Sequence, residues 1–219
     1  MKTIHYQNRN YTILGDLKAS TFLMYLVDES NPEDYEQIYQ KISSEYQLCM
    51  ISVSIHDWQG ELSPWPAPAI FGKHDFAGNA AKFLAELEDF WKWFKDEHNI
   101  ESNQVYLCGY SLAGLFTLWA STHTNTFQKI AAVSPSVWFL NFVQYMQQNQ
   151  VHASEVYMSL GDKEANAKNK VMATVKACFD AVIQNLQKQD IPLTYEYNPG
   201  NHFQDVELRM TKGIRQLLL

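Results

Sequence analysis

Apolar residues arrive along this chain in short dense runs, separated by longer stretches in which they recur only every third or fourth position. Residues 22–27, FLMYLV, are apolar without a break, as in a strand buried on both faces. Pro32 suits a first helical turn, and Tyr35, Ile38, Tyr39, Ile42 and Tyr46 then follow at helical spacing. QLCMISVSI is a second apolar strand, and a Pro/Trp-rich loop, HDWQGELSPWPAPAIFGKHDF, comes after it. AGNAAKFLAELEDFWKWFKDEH places Phe83, Leu84, Leu87, Phe90, Trp91 and Phe94 on one broad helical face.

The alternation continues to the last residues. QVYLCG, KIAAVSP, EVYMSLGD and PLTYEYNPG read as strands. SLAGLFTLWAST, VWFLNFVQYMQQNQ, AKNKVMATVKACFDAVIQNLQKQ and DVELRMTKGIRQLLL read as the helices that follow them. Repeated β-α units predict an α/β fold, with a mostly parallel central sheet covered by helices on both faces. Residues 5–14 predict an antiparallel strand or hairpin at its side. No repeat, low-complexity tract or Gly/Ser-rich linker interrupts the 219 residues, so one domain, 1–219, is expected. Ligands of such sheets bind beyond the carboxyl ends of the strands, which puts the chemistry in the loops after each strand.

One of those loops holds the string LCGYSLAGL, residues 107–115. Ser111 stands between a buried-type strand and an apolar helix, two places after Gly109. A nucleophile elbow reads G-x-S-x-G and lifts its serine on a tight strand-to-helix turn, with the following amide free to donate to an oxyanion. Here Ala113 replaces the second glycine, adding one methyl group, and Gly114 comes one place later. The competing reading makes Ser111 a cap for the helix starting at Leu112.

A serine nucleophile needs a base and an acid, in the chain order serine, acid, histidine. Of seven histidines, His123, His152 and His202 follow Ser111. His123 falls at the end of the helix after the elbow, and His152 precedes a strand, at the wrong end of the sheet. His202 falls in EYNPGNHFQDV, after the last strand, where a base can reach Ser111. The acid is expected after the preceding strand, in EVYMSLGDKEAN. Asp162 and Glu164 both qualify, and Glu164 has the longer reach. The oxyanion hole is expected from the Leu112 amide and from a backbone N–H of Asp28, Glu29 or Ser30. Trp58, Trp65 and Trp138, with Tyr110 beside the serine, are candidates for an aromatic-walled substrate pocket.

Composition narrows the field further. Forty-six per cent apolar residues supply an ample core, and the formal charge of −7, with scattered cations, points away from nucleic acid. No run reaches the ~18 apolar residues of a membrane span. The N-terminal MKTIHYQNRNYTIL lacks the apolar core of a signal peptide, and Cys49, Cys108 and Cys178 fit neither a disulfide framework nor a zinc site. A cytoplasmic chain with no metal and no cofactor is expected.

Several of these strings resemble, in order, the α/β-hydrolase esterases that include esterase D, feruloyl esterases and siderophore (enterobactin-type) esterases. YLVDES resembles the family's YLLDG oxyanion strand and turn, ELSPWPAP its DLTPW, and CGYSLAGLFTL its GHSLGGLFAL. SPSVW, residues 134–138, resembles SPSLWW, and PGNHF resembles the histidine turn. SLGDKE resembles the GxxE acid turn, which supports Glu164 over Asp162. The departures are Ala113, Glu29 where glycine is usual, and Tyr110 for the common histidine. The resemblance implies an α/β-hydrolase fold and a serine carboxylic-ester hydrolase with Ser111, His202 and Glu164 as its triad. It implies an acyl-enzyme on a small ester and Glu29 as the second oxyanion donor. A hydrolase-fold binding protein without catalysis, or an acyltransferase using the same triad, are the alternatives.

Overall fold

The computed structural model of the chain describes residues 1–28 and 34–219. The chain opens with an antiparallel hairpin, β1 (Lys2–Tyr6) and β2 (Arg9–Gly15). β3 (Thr21–Asp28), α1 (Asp34–Ser43) and β4 (Cys49–Ile55) follow. The Pro/Trp-rich loop contains one helical turn, α2 (Trp58–Glu61), and a pair of two-residue strands, β5 (Pro66–Ala67) and β6 (Phe76–Ala77). The β-α units then run α3 (Ala80–His98), β7 (Gln104–Tyr110), α4 (Leu112–Ala120) and β8 (Phe127–Val133). They continue with α5 (Phe142–Gln148), β9 (Glu155–Gly161), α6 (Val175–Leu186), β10 (Leu193–Asn198) and α7 (Val206–Leu218).

Among the described residues, eight strands form one sheet in the order β1-β2-β4-β3-β7-β8-β9-β10. It is antiparallel at β1–β2 and β2–β4 and parallel from β4 to β10. Strand geometry sends successive side chains to opposite faces, which splits the FLMYLV run in two. Phe22, Met24 and Leu26 pack with Phe83, Leu87, Phe90 and Phe94 of α3 on one face. Leu23, Tyr25 and Val27 pack on the other with Ile38 and Ile42 of α1 and with Met210, Ile214 and Leu217 of α7. The two-sided α/β-hydrolase arrangement expected from the sequence is what forms. α4 has no polar face, and all nine of its residues are buried.

Two helices begin later than their apolar periodicity suggests. α5 starts at Phe142, after Asn141 takes a left-handed φ of 59°. α6 starts at Val175, and residues 164–166 and 172–174 are 3₁₀ turns. The cause at α6 is Asn169, whose Oδ1 accepts the amides of Val171 and Met172 while its Nδ2 donates to the Ile70 carbonyl. A side chain that offers the backbone a local partner competes with helix. Among the described residues no helix is long and apolar enough to cross a membrane.

Candidate active site

β7 ends against a helix with no room for side chains, and that shapes the elbow. A Cβ on Gly109 would stand 2.5 Å from the Ala113 backbone and 2.8 Å from the Ala113 methyl. Position 109 therefore has to be glycine, and its bare Cα is what lets Ala113 keep its methyl. A Cβ on Gly114 would stand 3.0 Å from the Gly109 carbonyl and 3.2 Å from Pro135. The departure at position 113 is thus absorbed by its neighbours.

Ser111 takes φ 60°, ψ −120°, a strained region for a residue with a side chain. Backbone bonds hold it there. Its amide donates to the Val133 carbonyl at 3.1 Å, and its own carbonyl accepts the amides of Leu115 and Ser136, both at 3.0 Å. Its side chain caps no amide of α4, so the helix-cap reading of Ser111 does not describe this residue.

Ser111 Oγ lies 3.0 Å from His202 Nε2, and His202 Nδ1 lies 2.7 Å from Glu164 Oε2. With Nδ1–H donating to the carboxylate, Nε2 is left to accept the serine proton; the network assigns this tautomer. The loops after β7, β9 and β10 bring these groups together from positions 91 and 38 residues apart in sequence.

Glu164 is 6% exposed and well supplied with donors. Its Oε1 accepts the Gly161 amide at 2.7 Å and Arg209 Nη1 at 3.1 Å. Burial pushes its carboxyl up. The hydrogen bond and charge of His202, then the Gly161 amide and the Ser134 hydroxyl, outweigh that and hold it below its ordinary value.

Asp162, the alternative acid, is turned to a different task. Its Oδ1 accepts the Gly200 amide at 2.8 Å and so closes the turn that carries His202. Gly200 sits at φ +102° in that turn. His123 stacks on Trp119, and the amide of His152 donates to Ser121; neither ring joins the site.

The Leu112 amide opens α4, where the N-terminal amides and the helix dipole favour negative charge. Glu29 and Ser30, named above as possible second oxyanion donors, lie outside the described residues.

A cavity of about 790 Å³ opens over Ser111 and His202, walled by Trp58, Phe71, Trp138 and Met172. Lys163 and Lys168 stand on its rim. Trp58 and Trp138, two of the candidates from the sequence, line this cavity. Trp58 rides on α2, which is tied to the sheet by Arg9: its guanidinium bonds Glu61 and Glu86, both at 2.9 Å.

Trp65 is placed elsewhere. Its Nε1 donates to the Leu140 carbonyl at 3.0 Å and its ring packs on Phe139 and Tyr145, so it braces the loop behind the cavity. Tyr110 also stays out of the lining, because its hydroxyl donates to the His202 carbonyl at 2.6 Å.

Phe71, Met172, Ser136 and Arg209 are site residues that sequence reasoning missed. Ser136 Oγ lies 3.4 Å from Ser111 Oγ. Arg209 carried a readable signal: a cation set in the apolar stripe of α7, directly after the histidine turn.

The fold is that of the α/β hydrolases. The profile of the prolyl oligopeptidase family matches residues 79–185, just under half of the chain, including Ser111 and Glu164. Among solved structures, an IroE-like serine hydrolase from Shewanella oneidensis is similar at a TM-score of 0.78 with 18% identity, covering 96% of this chain and 75% of its own. Siderophore hydrolase EstB from Aspergillus nidulans is similar at 0.76 with 15% identity, covering 99% and 93%. Enterobactin hydrolase IroE, in complex with DFP, is similar at 0.66 with 15% identity, covering 96% and 88%. No curated protein matches by sequence. The family profile spans the elbow and the acid turn, and these neighbours share the fold of this chain.

Proposed function

We propose that this chain is a serine carboxylic-ester hydrolase working through an acyl-enzyme, with Ser111 as nucleophile, His202 as base and Glu164 as the acid that orients it. The observation that carries this reading is the unbroken line of contacts from Ser111 Oγ to His202 at 3.0 Å and on to Glu164 at 2.7 Å. A hydroxyl becomes a useful nucleophile when a base within hydrogen-bond reach takes its proton. His202 Nε2 takes it as Oγ bonds the ester carbonyl carbon, and the imidazolium is stabilised by the Glu164 carboxylate. The Leu112 amide at the start of α4 receives the oxyanion. His202 then returns the proton to the departing alkoxide. A water, deprotonated by the same nitrogen, attacks the acyl-enzyme and frees Ser111.

The aromatic wall of Trp58, Phe71 and Trp138 suits a flat acyl or aryl group in a small ester. The names of the neighbours make siderophore esters, beside short aryl esters, the first substrates to try. The inert-scaffold alternative drew part of its support from Ala113, and that support weakens because the bare Gly109 accommodates the methyl.

Intact mass after exposure to a fluorophosphonate tests the proposal. One adduct on the wild type and none on Ser111→Ala is expected. A folded wild type that takes no adduct overturns the reading.

A further inference from the structure

α7 lays Met210, Ile214 and Leu217 against the sheet, and Arg209 stands beside them with none of its surface exposed. Filling that space with an apolar side chain would avoid taking a guanidinium out of water, a cost that a buried ion pair recovers only with excellent geometry. The contacts Arg209 makes are specific. Nη1 donates to Glu164 Oε1 at 3.1 Å, to Ser134 Oγ at 3.2 Å and to the Tyr110 hydroxyl at 3.3 Å. Nη2 donates to the carbonyls of Pro199 at 2.9 Å and Asn201 at 3.0 Å, the stretch that delivers His202. One side chain therefore bonds the last residue of β7 and the turns that follow β8, β9 and β10.

The surroundings are cut to fit it. A Cβ on Gly161 would stand 2.9 Å from both Nη1 and Nη2, so the glycine that ends β9 leaves the guanidinium its place. Tyr110 extends the link, taking a bond from Nη1 and donating its own hydroxyl to the His202 carbonyl at 2.6 Å.

We infer that Arg209 is a positioning residue of the proposed hydrolase: it fixes Glu164 and the His202 loop in one register, so that Glu164 Oε2 meets His202 Nδ1. This rests on the functional reading above. One arm neutralises and orients the carboxylate through Oε1, leaving Oε2 for the imidazole. The other arm sets the backbone on both sides of Gly200. A planar guanidinium does both at once, which a single ammonium does not.

The test compares wild type, Arg209→Met and Arg209→Lys by kcat and KM on an aryl ester, by the rate of fluorophosphonate labelling, and by the downfield imidazole N–H proton resonance. For Arg209→Met, kcat falls roughly 10- to 100-fold, as for a misplaced reacting group, with little change in KM. Labelling slows in parallel, and the downfield resonance is lost or broadened, because the Glu164–His202 contact is no longer held. Arg209→Lys restores part of the rate. A folded Arg209→Met that keeps wild-type kcat and an unmoved resonance overturns the inference.

If Arg209→Met does not fold, Tyr110→Phe carries the test, since it removes only the oxygen bridging Arg209 to His202. Labelling about three- to tenfold slower supports the link, and unchanged labelling overturns it. A wild type that takes no adduct overturns the hydrolase reading and this inference together. A wild type that labels, with variants that label equally, overturns this inference alone.

Discussion

The two halves of the site are held by different means. At the elbow, Ser111 keeps its φ of 60° through backbone bonds to Val133, Leu115 and Ser136, in a space that excludes even a methyl at position 109. Across the site, His202 sits in an irregular turn that owes its place to side chains: Asp162 on the Gly200 amide, Tyr110 on the His202 carbonyl, Arg209 on two more carbonyls. The first half is sensitive to volume and the second to charge and hydrogen bonds. A helix packed on a strand fixes an elbow by exclusion, whereas a loop has no such wall and needs directed bonds.

Substitutions at the reacting groups set the outer scale of this contrast. Ser111→Ala is expected to lower kcat on an aryl ester by roughly 10⁵- to 10⁶-fold, and Glu164→Gln by about 10⁴-fold, since orienting the base matters less than having a nucleophile. Equal losses in steady-state assays would mean that Glu164 does more than orient. At the elbow, Gly109→Ala is expected to cost about 1–3 kcal/mol in urea unfolding, because the methyl meets backbone atoms that cannot move aside. An unchanged urea midpoint would remove the volume half of the comparison.

The charged half has a pH signature. Glu164 is held below its ordinary 4.5 in the folded chain, so its contribution to stability is complete above that pH and is lost as pH falls through the lower folded value. Urea midpoints measured from pH 6 downwards are expected to fall more steeply for wild type than for Glu164→Gln below about pH 4.5. Parallel curves would contradict the depressed carboxyl. The smallest effect belongs to Ala113→Gly, which restores the usual elbow string. Activity near that of wild type is expected, with a stability loss of no more than about 1 kcal/mol from a glycine inside a helix. A large gain in rate would show that the methyl hinders the elbow after all.

What was legible in the sequence follows the same division. The sheet and its two layers were readable because strand and helix periods are local properties of the chain, and the elbow because strand, serine and small residues are contiguous. The approach of His202 and Glu164 to Ser111 was readable from their places after β10 and β9. The late start of α6 was not, since it depends on Asn169 reaching a carbonyl at Ile70, 99 residues earlier. That Trp65 and Tyr110 lie outside the cavity lining is hidden from the sequence for a related reason. Composition marks an aromatic loop, but only the tertiary partner, Leu140 for one and His202 for the other, decides which way a ring faces. Arg209 was visible as a cation in an apolar stripe, yet its purpose lies in four other segments of the chain.

Synthesis on the ribosome gives that arrangement an order in time. Ser111 emerges 91 residues before His202. At typical elongation speeds, roughly 5–20 s separate the two. Through that interval the nascent chain carries Ser111 without His202, and at first without Val133 and Ser136, whose backbones hold the elbow. The contacts from Ser111 to His202 and Glu164 close only once the turn after β10 and α7 are in place, so the proposed site is completed by the last part of the chain to be made.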